Sequence, residues 1–158
     1  KMNPPLRTAE DALALQAAVA DGTVDCIVTD HAPHAAHEKD CEWEISYFGC
    51  IGLETSLPLM VTNMVRTNKL SYTGLVRAMA VNPRRILRLA PVKIAAGYKA
   101  DLTLFDPEKK VQITTEYFES KSKNSAFIGA ELYGVATDVF VDGKRVLADE
   151  VVVPGGEK

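Results

Sequence analysis

DCIVTDHAPHAAH, residues 25–37, sets a short apolar run directly before an acid and three histidines. Cys26, Ile27, Val28 and Thr29 are β-prone and mostly apolar, as suits a strand buried on both faces of a parallel sheet. Asp30 stands at the C-terminal end of that strand. In a parallel α/β barrel the groups that do chemistry collect there, on the loops leaving the strands. Upstream, KMNPPLR (residues 1–7) carries two prolines that hold Asn3 and Pro4 extended. Thr8 then offers an N-cap, with Asp11 in capping-box position, and predicts a helix over residues 9–19 that closes at Asp21-Gly22.

Downstream, residues 31–53 show little periodicity. A connection of that length in a compact domain is usually functional or mobile. Helices are predicted over residues 54–66, 71–80 and 84–89, the last opened by Asn82 as N-cap and Pro83 as first helical residue. Near residues 90–96 the composition changes. One strand is expected to end at Asp106-Pro107 and a second to cover 111–115. A polar loop follows at 121–125, then strands over 133–141 and 144–152 joined by a hairpin at Asp142-Gly143. The chain thus divides into an α/β part, 1–92, and a β-rich part, 93–158. The α/β part holds about one and a half βα units, too few to close a parallel sheet, and a buried parallel strand needs neighbours on both edges. The expectation is the C-terminal part of a larger α/β protein.

The 158 residues have 47% apolar and 25% charged side chains, values of a globular chain. A net charge of -3 and the absence of a Lys/Arg stripe argue against a nucleic-acid partner. No stretch approaches ~20 uninterrupted apolar residues, so no membrane span is expected. The longest, 57–65, is broken by Pro58, Thr62 and Asn63. No signal-peptide pattern opens the chain. Cys26, Cys41 and Cys50 show no CxxC spacing, which fits reduced thiols and a cytoplasmic setting.

An Asp at a strand end binds a cation through oxygen and can take a proton from an attacking water. The same residue could be a helix N-cap amid solvated histidines. His31, His34 and His37 by themselves make a poor metal set, because Pro33 prevents a helical arrangement. Asn3 offers an amide donor and Arg7 a charged donor fork, both suited to a carboxylate. The alternative is a proline-rich turn with Arg7 in solvent.

NPPLR at 3–7, VTDHAPH at 28–34 and FGCIGLETSLPL at 48–59, in that order, resemble the last third of dihydroorotases of the long bacterial class, within the amidohydrolase superfamily. Asn82-Pro83, GYKADLTLFDP (97–107), KSKNSAF (121–127) and VFVDGKRV (139–146) fit the same pattern. The resemblance implies a metal-dependent (β/α)8 barrel with a small appended β-domain. It implies reversible hydrolysis of dihydroorotate to N-carbamoyl-aspartate in pyrimidine synthesis, with one or two zinc ions as Lewis acid. Asp30 is then a zinc ligand and the general acid/base, and Asn3 and His34 bind the substrate carboxylate. Phe48 and Gly49 meet the pyrimidine ring through backbone groups. His31 is expected to orient Asp30, and His37 to sit in a solvated loop. The family's HxH pair and other metal ligands have no counterpart in this sequence, and a catalytic zinc needs about three protein ligands. The chain by itself is therefore expected to be inactive. The complete enzyme is expected to be a homo-oligomer, with aspartate transcarbamoylase as a possible partner. Two alternatives remain: another cyclic amidohydrolase of hydantoinase or allantoinase type, and a non-catalytic dihydroorotase-like partner of aspartate transcarbamoylase. Asn3 speaks against the first, and joint retention of Asn3, Asp30 and His34 against the second.

Overall fold

The computed structural model describes residues 1–154. Helix α1 (Ala9–Asp21) forms where its local signals place it. Thr8 Oγ1 accepts from Asp11 N at 3.2 Å, and Asp11 Oδ2 accepts from Thr8 N at 3.1 Å, a complete capping box. The hydrogen bonds from Thr8 hold the Asp11 carboxyl below the usual carboxylate range. This contribution is present above the unfolded pKa and is lost as pH falls through the folded one. Gly22, at φ 86°, ends the helix in the left-handed conformation.

The expected buried strand at 26–29 is not one in this structure. The segment joins no sheet among the described residues, and Val28 is 74% exposed. A ladder needs a strand beside it, and among the described residues a single backbone hydrogen bond, Ile27 N donating to Ala78 O at 3.1 Å, ties the run to another element. Within the long connection that follows, a single turn forms as α2 (Ala36–Lys39), where Glu38 Oε2 accepts from Ala35 N at 2.7 Å.

Helix α3 (Leu53–Met60) continues through a π-helical turn, Val61–Val65. Pro58 lies inside it and cannot donate to the Glu54 carbonyl. The Tyr117 hydroxyl takes that place, donating to Glu54 O at 3.0 Å. Burial, and then the neighbouring Glu54 carboxylate, push the Tyr117 phenol up, so it stays a donor.

Asn82 was expected to cap a separate helix. Instead α4 (Tyr72–Val76) runs through a π turn, Arg77–Val81, into α5 (Asn82–Ile86), with Asn82 itself helical. The wider turn, closed by Asn82 N on Arg77 O, makes room for the Pro83 ring. The Asn82 side chain donates to Asp25 O at 2.6 Å rather than to a helix end.

The β-rich half is a four-stranded antiparallel sheet in sequence order: β1 (Leu102–Gln112), β2 (Glu131–Val141), β3 (Lys144–Ala148) and β4 (Val151–Val152). The two strands expected on either side of Pro107 are one. Register shifts between Asp106 and Lys110, where Asp106 Oδ1 accepts from Glu108 N and Lys109 N at 2.8 and 3.2 Å. The bulge absorbs the proline, which has no N–H for the ladder. Asp142 and Gly143 both have positive φ, 54° and 75°, the type I′ hairpin that Asp-Gly signals. The strand expected over 144–152 breaks into two at Asp149 and Glu150, both also at positive φ.

Two clusters hold the chain together, and both cross between its halves. Ile51 packs with Ile113, Phe118 and Leu132. Val61, Met64, Leu70 and Leu75 pack against Phe105 and Tyr133. Gly134, at φ 96°, lets β2 approach the π turn after α3, since a Cβ there would lie 2.7 Å from the Val61 Cβ. Gly134→Ala should cost on the order of 2–4 kcal/mol through overpacking and backbone strain, read as a lower midpoint in denaturant melts.

Much apolar surface stays exposed: Leu6 is 84%, Ile45 68% and Ile94 91% accessible. Expressed alone, the 158-residue chain should self-associate. Sedimentation tests this, and a clean monomer with cooperative unfolding would count against a partial barrel.

Candidate functional site

The loop residues gather around Gly49. Gly49 N donates to Lys1 O at 2.8 Å, and Lys39 Nζ donates to Tyr47 O and Gly49 O at 2.7 and 3.0 Å. Gly49 sits at φ 94°, and a Cβ on it would fall 2.7 Å from the Ala32 Cβ. Only glycine therefore fits both the conformation and the contact. Ala32 N in turn donates to Cys50 O at 3.0 Å, so residues 30–34 and 48–51 lie side by side.

Three of the five expected site residues meet directly. His34 Nε2 lies 2.9 Å from Phe48 O and, facing a carbonyl, must carry the proton there. The ring stacks on Tyr47 with centroids 5.2 Å apart, and its Nδ1 is 3.8 Å from Glu38 Oε2. Phe48 and Gly49 follow in the chain, with the Lys1 ammonium 4.6 Å from the Phe48 ring centre. Asn3 is exposed, two residues beyond the Lys1 carbonyl that Gly49 binds. Asp30 is exposed at φ 46°, an unusual conformation that Asp tolerates better than most residues, and its carboxylate accepts no hydrogen bond from the described residues.

His31 differs from its expected role. Its Nδ1 accepts from Gly52 N at 3.1 Å and Leu53 N at 3.3 Å, so it caps the start of α3. Gly52 permits the close approach, because a Cβ there would lie 3.3 Å from the Thr29 carbonyl oxygen. His37 is exposed, as expected, but lies on the helical turn α2 rather than in a loop, and Arg7 is exposed as well.

Sequence reasoning missed the residues that hold these loops. Ser122 and Asn124 reach from the polar loop after Phe118 onto Ala32, His34 and Gly49. Glu54 clamps the preceding turn, its carboxylate accepting from Glu119 N and Ser120 N at 2.7 and 3.2 Å. The sequence marks their stretch as a polar loop and, through KSKNSAF, as one that fits the family pattern, but gives neither residue a role.

Among the described residues no three His, Cys, Asp or Glu side chains come together to hold a metal ion. Asp30 is a single donor, and the neighbouring His31 and His34 are turned to backbone groups. These residues alone do not fit a catalytic zinc site. The 158-residue chain should therefore keep no stoichiometric zinc after dialysis against a weak chelator, and metal retained at one equivalent would contradict this. No helix among the described residues is long and apolar enough to cross a membrane.

A model of the amidohydrolase family matches residues 3–146. The chain is 48% identical over 146 residues to a dihydroorotase of Geotalea daltonii and 43% identical over 150 residues to one of Clostridium acetobutylicum, covering 92% and 95% of itself. It spans only about a third of those relatives' length, 34% and 35%. Among solved structures, the L-hydantoinase (dihydropyrimidinase) of Arthrobacter aurescens superposes with a TM-score of 0.90 at 31% identity, over 99% of this chain and 36% of that one. The chain thus corresponds to part of a TIM-barrel fold. With nearly its whole length matched by the family model, this chain belongs to the amidohydrolase family.

Proposed function

We propose that the complete protein carrying this chain is a dihydroorotase, opening the cyclic amide of (S)-dihydroorotate to N-carbamoyl-L-aspartate and closing it in reverse. The observation that carries the reading is the contact of His34 with Phe48 O beside Gly49. It joins the DHAPH and FGCIGLET stretches into one surface, in a chain 43–48% identical to dihydroorotases of two bacteria. Residues 1–92 belong on this reading to the C-terminal part of the barrel and 93–158 to an appended β-domain, of which 155–158 lie outside the described residues.

In this reading Asp30 is the general acid/base. It takes a proton from the attacking water as the C–O bond forms and returns it to the ring nitrogen as the C–N bond breaks. Its carboxylate, without a hydrogen bond from the described residues, suits that role. Asn3 donates its amide to the substrate carboxylate, and His34 lies beside it. Backbone groups at Phe48 and Gly49 face the ring. One or two zinc ions would serve as Lewis acid, with Asp30 as one ligand and the remaining ligands supplied from elsewhere in the complete protein. The enzyme would work in the cytoplasm as a homo-oligomer, with aspartate transcarbamoylase as a candidate partner.

Ring opening of dihydroorotate by the purified complete protein, followed by loss of the substrate's ultraviolet absorbance, tests the reading. Turnover of dihydroorotate with none of a 5-substituted hydantoin is expected. The opposite preference would assign the protein to the hydantoinases, and no turnover of either would favour a non-catalytic role.

A further inference from the structure

We propose, deepening the dihydroorotase reading and resting on it, that Asn124 is a positioning residue that sets the spacing of the two substrate-binding loops, with Ser122 as its partner. Asn124 comes from a loop some 75–90 positions away in sequence and makes no contact with the reacting atoms on that reading. Yet its side-chain amide and its backbone carbonyl are both turned to those two loops. The amide nitrogen donates to Ala32 O at 3.0 Å and to Gly49 O at 3.4 Å. The amide oxygen lies 3.3 Å from His34 N, and the Asn124 carbonyl accepts from Ile51 N at 3.2 Å.

Ser122 completes the grip. Its hydroxyl donates to His34 O at 2.7 Å and accepts from His34 N at 3.2 Å, and it lies against the Asn124 amide oxygen. Both side chains are partly buried. The amide can point only one way. Flipped, its oxygen would face two carbonyls and its nitrogen an N–H.

Elsewhere the two stretches are tied at the start of α3, where His31 Nδ1 accepts from Gly52 N and Leu53 N, and the bracket acts nearer His34 and Gly49. Among the described residues, one backbone hydrogen bond links 30–34 to 48–51, from Ala32 N to Cys50 O, besides the His34 ring on Phe48 O. Asn124 binds the residue before Pro33 on one loop and the residue after Phe48 on the other. Its loss lets His34 drift from Phe48–Gly49, and catalysis is sensitive to displacements of that size.

The test uses the complete protein with Asn124→Ala, Asn124→Asp, Ser122→Ala and Ser122→Thr. Two readouts are taken: KM and kcat for dihydroorotate, and hydrogen exchange at the His34 amide. Asn124→Ala should raise KM roughly tenfold or more while kcat changes less, and should speed exchange at His34. Asn124→Asp should do no better, since it sets a carboxylate oxygen against the Ala32 and Gly49 carbonyls. Ser122→Ala should shift KM a few-fold, and Ser122→Thr, which keeps the hydroxyl, should restore it. Leu75→Val, a change in the other core cluster with Val61, Met64 and Leu70, should lower the melting temperature and leave KM unchanged. If the Asn124 variants do not fold, the Ser122 pair decides.

An unchanged KM in Asn124→Ala, or equal KM values for Ser122→Ala and Ser122→Thr, would overturn the proposal. Unmodified protein without dihydroorotate turnover would instead overturn the functional reading. The His34 exchange rate then decides the positioning role by itself: faster in Asn124→Ala supports it, unchanged refutes it.

Discussion

In the complete protein, Asp30→Asn should leave the fold intact and remove turnover, lowering kcat by roughly 10²–10⁴ or more. The amide can neither take the proton of the attacking water nor return one to the ring nitrogen. The fold should survive because Asp30 holds φ 46°, and asparagine tolerates this left-handed conformation as well as any residue with a side chain. Asp30→Ala would confound the result by adding backbone strain. Asn3→Ala and His34→Ala should act mainly on binding. Asn3→Ala removes a hydrogen bond to a charged carboxylate, on the order of 1.5–3 kcal/mol, or roughly ten- to a hundredfold in KM, and His34→Ala removes the imidazole that lies beside that carboxylate. His34→Ala also frees Phe48 O, so its effect should be the larger of the two. Steady-state kinetics separates the classes. A near-normal kcat in Asp30→Asn, together with lost turnover in Asn3→Ala, would reverse the assignment.

Gly49→Ala should be the second most damaging single change. The new methyl would meet the Ala32 Cβ at 2.7 Å, and neither group sits on a flexible side chain that could swing aside. The loops must part, and with them His34 and Phe48. Clash and positive φ together should cost on the order of 2–4 kcal/mol of stability, and kcat/KM should fall roughly a hundredfold. Gly22→Ala is the matched control. Gly22 has a similar φ of 86° but nothing within 4 Å of its Cβ position, so it isolates the strain from the clash. It should lower the melting temperature modestly and leave kinetics unchanged. Equal kinetic losses in both variants would mean that strain, not loop contact, governs the site.

What the sequence foretold and what it did not divide by range. The capping box at Thr8 and Asp11, the stop at Gly22 and the Asp142-Gly143 hairpin are set by residues a few positions apart, and all formed as read. The segment at 26–29 was legible as β-prone, but a strand exists only with neighbours, and none lie beside it among the described residues. Asn82-Pro83 carries a helix-start signal that the preceding π turn overrides. Pro107 appeared to divide two strands, whereas the Asp106 side chain organises a bulge that lets one strand run through. For the candidate site, the sequence singles out Asp30 and His34 in one stretch and Phe48-Gly49 in another, and the structure sets His34 against Phe48 O. The bracket by Ser122 and Asn124 was not, because no local pattern shows which polar loop residue will turn onto a segment 90 positions earlier.

Asn3, Asp30, His34 and Phe48–Gly49 are proposed together as the substrate-facing side of a dihydroorotase. A crystal structure of the complete protein with dihydroorotate bound tests it most directly. The expected result places the substrate carboxylate against the Asn3 amide and His34, the ring along the Phe48–Gly49 backbone, and the Asp30 carboxylate within hydrogen-bonding reach of the scissile amide. Dihydroorotate bound with its carboxylate away from Asn3 and His34, or with Asp30 remote from the ring, would contradict it.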